Sequence, residues 1–158
     1  MLENTFALSQ KLVNLLRGAG SRLILAESCT GGALAHAITS IPGSSACFEG
    51  AFVTYSDSLK QSQLGVSPEI LKAYGAVSKE VACAMATGAL ARSEAQLALS
   101  VTGIAGPSGG TKKKPVGTVW FGLALGGGHC ECRSVNFIGS RFSVRDQAVR
   151  FSLSWLLD

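Results

Sequence analysis

The sequence predicts an α/β protein, a single-domain three-layer α/β/α sandwich with a mixed β-sheet. Three observations carry that expectation. Short apolar runs of strand length alternate with stretches of helical periodicity through residues 5–101. Glycine-rich or polar turns (27–32, 55–60 and 102–110) directly follow three of the apolar runs. Two further β-rich runs flank Gly126-Gly127-Gly128 and read as a hairpin that closes the sheet. Parallel strands must be covered on both faces, so helices are expected above and below. At 158 residues the chain has room for one domain, taken as residues 1–158.

Residues 5–17 place Leu8, Leu12, Leu15 and Leu16 at helical spacing, with Gly18 or Gly20 as the left-handed exit. Residues 22–26 (RLILA) form a buried strand that ends abruptly in Glu27-Ser28-Cys29-Thr30-Gly31-Gly32. A helix follows over 33–39, then a strand over 51–55 (AFVTY) and a polar helix through SDSLKQSQLG. Ser67-Pro68-Glu69 is a helix start with cap, first-position proline and first-turn acid. Ser78 opens another helix, to about Arg92. A third strand, 96–101, leads into the long loop TGIAGPSGGTKKKP. Residues 116–125 and 131–137 make the hairpin. The last helix begins near Ser140 and sets Phe142, Val149, Leu153 and Leu156 on one face.

Composition narrows the function classes. Hydrophobic residues are 47% and charged residues 15% of the chain, which excludes disorder as the main state. Mean hydropathy is +0.32, yet no apolar run approaches the ~18 residues of a membrane span. Glu3 precedes Lys11, the wrong order for a secretory leader, so a cytoplasmic protein with no membrane partner is expected. The net charge of +4 is concentrated after residue 110, which fits an anion site or solvated lysines. Eleven aromatics and this modest charge argue against nucleic-acid binding. The apolar composition of a small domain favours a homodimer. Five cysteines, an odd number, read as free thiols. Cys130 and Cys132, two apart on a strand, are about 6.5 Å apart and unsuited to a disulfide. With only His36 and His129 available, a zinc site has poor material, and neither cofactor nor metal is expected.

Chemistry is expected where strands end, because open α/β sheets collect ligands at that edge. Ser28 stands between a strand end and a helix start, where free amides would stabilise negative charge. Capping of that helix by Ser28 or Thr30 is the alternative. Lys60 follows another strand end and is a candidate base. A lysine of ordinary pKa is neutral about 0.04% of the time at pH 7, so burial must lower its pKa. Tyr55 could relay or orient the proton. Cys29 is a rival nucleophile if the helix terminus lowers its pKa. Arg141 and Arg145, four apart, could clamp a phosphate or carboxylate, and Lys112–Lys114 could assist. His36 and His129 are expected to be structural or exposed.

AESCTGG (26–32), FVTYSDSLK (52–60), YGAVSKEV (74–81), VTGIAGPSGG (101–110) and KPVGTVWFGLA (114–124) together resemble the CinA C-terminal domain family. The motifs run in family order from about residue 5 to 157, and the chain resembles the stand-alone form. The best-understood activity of that family is nicotinamide-nucleotide amidase. The resemblance implies hydrolysis of the carboxamide of nicotinamide mononucleotide (NMN) to nicotinate mononucleotide and ammonia, without a metal. It implies Ser28 as nucleophile and Lys60 as base, with Tyr55 alongside. Thr30, Gly31, Gly32, Thr102, Gly103 and Arg141 are implied to bind substrate. A non-catalytic nucleotide-binding or regulatory module is the alternative within the same family.

Overall fold

In chain order the computed structural model, which describes residues 4–158, runs α1 (Thr5–Ala19), β1 (Leu23–Glu27), α2 (Ala33–Thr39), a turn of 3-10 helix (Ser44–Ala46) and β2 (Phe48–Val53). It continues with α3 (Asp57–Leu64), α4 (Pro68–Tyr74), α5 (Lys79–Ala91), β3 (Leu97–Gly103), the hairpin β4 (Thr118–Leu125) and β5 (His129–Asn136), and α6 (Arg141–Leu157). Glu3, used in the leader reading, lies outside the described residues. The sheet order is β2-β1-β3-β4-β5. The first three strands are parallel, and β4 and β5 are antiparallel additions, so the sheet is mixed.

Alternation along β1 divides the molecule. Leu23 and Leu25 join a core with α1, α2 and α6, whereas Ile24 and Ala26 join one with α3, α4 and α5. Helices therefore cover both faces, giving the expected three layers. All five residues of β1 are buried, as a central parallel strand requires. The chain leaves β1 over one face and β2 over the other. That divergence opens a crevice at the C-terminal ends of the strands. No helix among the described residues is long and apolar enough to cross a membrane.

Several elements differ in detail from expectation. β2 begins at Phe48, not 51, because Phe48 and Gly50 pair with Leu23 and Ile24 of β1, with Glu49 bulged between them. It also ends at Val53, leaving Tyr55 outside the strand. Leu15 is half exposed; Val13 takes its place in the α1 core stripe. Phe142 is exposed, because the buried side of α6 is Val144, Ala148, Val149, Ser152, Leu153 and Trp155. Leu156 is only half-buried.

Candidate functional site

The crevice holds a cavity of about 310 Å³. Ser28 and Cys29 enter it from the β1–α2 turn, Lys60 from α3, Thr102 and Gly103 from the end of β3, and Arg141 from the start of α6. Elements far apart in sequence thus converge on one edge of the sheet.

Lys60 is among the largest fully buried side chains of the described residues, only 1% exposed. Its Nζ donates to three acceptors: Ser28 Oγ at 3.1 Å, Thr54 O at 3.1 Å and Tyr55 O at 3.3 Å. Burial lowers its pKa from the ordinary lysine value. The Asp57 carboxylate, 3.8 Å away and largely exposed, opposes that shift. An ammonium has three donors and no acceptor. Once neutral, the amine keeps two N–H donors for the two carbonyls, and its lone pair faces Ser28 Oγ. The same nest therefore suits both protonation states, and only the direction of the serine hydrogen bond reverses.

Neither Ser28 nor Thr30 caps α2. Glu27, fully buried at the end of β1, does so from a distance. Its Oε1 accepts from the amides of Gly32 and Leu34, and its Oε2 accepts from Ala35. Gly31 and Ala33 amides are engaged by Ser28 O and Thr30 O. The expected pool of free helix-terminal donors is thus mostly occupied. In this turn the amides of Cys29 and Thr30 remain without a main-chain or carboxylate acceptor among the described residues. Sequence reasoning missed Glu27; its one signal is a carboxylate ending an otherwise apolar strand. Replacing Glu27 with alanine should cost about 3 kcal/mol, because three inward-facing amides lose their acceptor. Denaturant unfolding measures this, and Glu27→Gln, which keeps one carbonyl oxygen, should lose less.

Other residues depart from their expected roles. Gly31 and Gly32 shape the turn through positive φ angles of 60° and 97°, and with Thr30 they stand behind the cavity lining. Tyr55 meets Lys60 through its main-chain carbonyl. Its phenol is mostly exposed and accepts from Arg141 Nη2 at 3.0 Å, an arrangement for the cavity rim instead of a proton relay. Arg141 Nη1 also donates to Gly106 O at 2.9 Å, so the guanidinium is fixed from two sides. Arg145 does not join it in a clamp. One turn further along α6, it donates to Cys29 O at 3.0 Å and Thr30 O at 3.1 Å, holding the turn that carries Ser28.

Thr102 donates from Oγ1 to Ala76 O at 2.9 Å, pinning the cavity wall. Gly103 is required by packing, since a Cβ there would come within 2.7 Å of Val119 Cγ2. The Cys29 thiol, expected to have a lowered pKa, is instead pushed up to about 12, chiefly by burial. With the α2 amides occupied by Glu27, little remains to stabilise a thiolate. Lys112 and Lys113 are exposed and outside the cavity, and Lys114 donates to Tyr74 O. His36 and His129 are both exposed and away from Ser28; His36 lines a separate groove between α1, α2 and α6.

The family model of the CinA C-terminal domain matches residues 5–158. A protein of Enterobacter agglomerans named nicotinamide-nucleotide amidohydrolase PncC is 50% identical over 150 residues, 95% of this chain and 92% of the relative. One of the same name from Escherichia coli K12 is 48% identical, covering 94% of this chain and 90% of the relative. The crystal structure of the competence/damage inducible protein CihA from Agrobacterium tumefaciens superposes with a TM-score of 0.94 at 39% identity, covering 99% of this chain and 96% of that one.

Proposed function

The chain belongs to the CinA C-terminal domain family, and from that membership we propose that it is a nicotinamide-nucleotide amidohydrolase, converting NMN to nicotinate mononucleotide and ammonia. The observation that carries the chemistry is the 3.1 Å contact between Lys60 Nζ and Ser28 Oγ in a water-poor nest.

The uncharged amine takes the proton of Ser28 as Oγ bonds to the carboxamide carbon. Charge builds on the former carbonyl oxygen, for which the amide of Cys29, a residue of the cavity lining, is the candidate donor. The Lys60 ammonium, held by Thr54 O and Tyr55 O, then returns the proton to the departing nitrogen, and ammonia leaves. The resulting Ser28 ester is cleaved by a water that Lys60 deprotonates; the proton passes to Oγ and the acid departs. One lysine serves both half-reactions, so no histidine is needed.

Arg141, fixed at the rim by Tyr55 and Gly106, is the candidate phosphate partner. A hydrogen bond to a charged group contributes about 2 kcal/mol, so Arg141→Ala should raise KM for NMN roughly 30-fold. KM for nicotinamide riboside, which lacks the phosphate, should hardly move. Equal increases for both substrates would reject Arg141 as the phosphate contact. In the same ammonia assay, tight NMN binding by the parent protein without turnover would favour the regulatory-module reading.

A further inference from the structure

We propose that Cys83, Cys130 and Cys132 form a three-thiolate site for a soft, three-coordinate metal ion, Cu(I), between α5 and β5. The site is independent of the candidate catalytic cavity, which none of the three lines. No single stretch of sequence announces it, because Cys83 comes from a helix 47 residues before the strand cysteine beside it.

The fold draws the three thiols together. Cys130 and Cys132 are two apart on β5, so their side chains share the face that meets α5. They pair with Ala124 and Gly122 of β4. Gly122 lets α5 come unusually near, since a Cβ there would lie 2.6 Å from Ala82 O. Ser100 Oγ donates to that same carbonyl and draws this turn of α5 toward the sheet. Cys83, the next residue, consequently reaches β5. All three Sγ atoms lie within 4.8 Å of one another. Sulfurs around a trigonal ion with bonds of about 2.3 Å would be about 4.0 Å apart. Modest side-chain rotation closes that difference.

The donor set selects the ion. Thiolates favour soft cations. Structural zinc wants a fourth ligand, and the group contains no fourth histidine, cysteine or carboxylate among the described residues. His129 and Glu131 alternate to the opposite face of β5, where Glu131 is paired with Arg133. The three thiols are half-buried, which leaves an entry path while excluding bulk water. Without an ion Cys83 and Cys130 resist ionisation. Burial and the Cys130 contact push Cys83 up to about 11, while the Cys132 contact and burial raise Cys130. Binding therefore breaks three S–H bonds, forms three Cu–S bonds and releases three protons to solvent. Lys79, one turn before Cys83, offsets part of the negative charge of the complex.

The test is an anaerobic titration of the reduced full chain with Cu(I) against a chromophoric Cu(I) chelator. One Cu(I) per chain should be retained, with three sulfur neighbours by X-ray absorption. Cys83→Ser, Cys130→Ser and Cys132→Ser should each weaken retention by more than the roughly 100-fold that loss of an outer-shell partner alone can cost. Cys47→Ala should leave it unchanged. As a readout on the unaltered chain, bound Cu(I) should shield Cys83, Cys130 and Cys132 together from alkylation. The proposal is overturned if the chelator strips the parent protein, if a two-sulfur ion is found, if binding survives the triple serine variant, or if alkylation is unaffected.

Discussion

Replacing Ser28 with alanine should lower kcat for ammonia release from NMN by about 10⁴-fold or more, because it removes the proposed nucleophile. KM or Kd for NMN should change little, since the hydroxyl is a small part of the cavity wall and Arg141 remains. Nor should stability suffer. The lost partner of Lys60 is one of three, and the cavity can admit water in its place. Steady-state ammonia release beside equilibrium binding measures the split. Undiminished turnover in the variant would sink the nucleophile assignment, and the buried Cys29 thiol, with its pKa near 12, is a poor substitute.

Lys60→Met keeps the length and apolar body of the side chain and removes the titrating nitrogen. Turnover should fall by about 10²- to 10⁴-fold, the usual contribution of a positioned acid–base group. In the parent protein, kcat/KM should rise with pH through a transition below the ordinary lysine value of 10.5, and that limb should vanish in the variant. Stability should move the other way. The folded lysine has a lowered pKa, so between that value and 10.5 the unfolded chain binds an extra proton. Lys60 thus has no differential effect above 10.5 and increasingly weakens the fold as pH drops through the window. Below the folded pKa the penalty is constant. The methionine variant escapes it, so its melting temperature should gain on the parent as pH falls across that range. A pH-independent difference would contradict the lowered pKa.

Much of this was readable from residue order. The β1–α2 turn and the start of α3 both follow strand ends, and strand ends of a parallel sheet share an edge; Ser28 and Lys60 were therefore legible as neighbours. What escaped was orientation across long separations. Arg141 and Arg145 have the helical spacing of a clamp, but Arg145 packs on the β1–α2 turn and is taken up by the carbonyls of Cys29 and Thr30. Glu27 was opaque because only the bend after β1 reveals which amides it reaches. The contact of Tyr55 with Lys60 is not legible either, since it runs through a main-chain carbonyl that leaves no trace in residue identity. Cys83 lies beyond local pattern for a different reason: its closeness to β5 depends on the missing side chain of Gly122.

The alcohol hangs from the sheet while the amine rides on α3, a helix of eight residues laid over it. Under the proposed mechanism neither scaffold half holds the chemistry alone. Turnover becomes a gauge of how the two are seated, because a slip of about 1 Å can cost on the order of a hundredfold in rate. A neighbour pressing on that short helix could throttle the enzyme while every strand and helix stays intact.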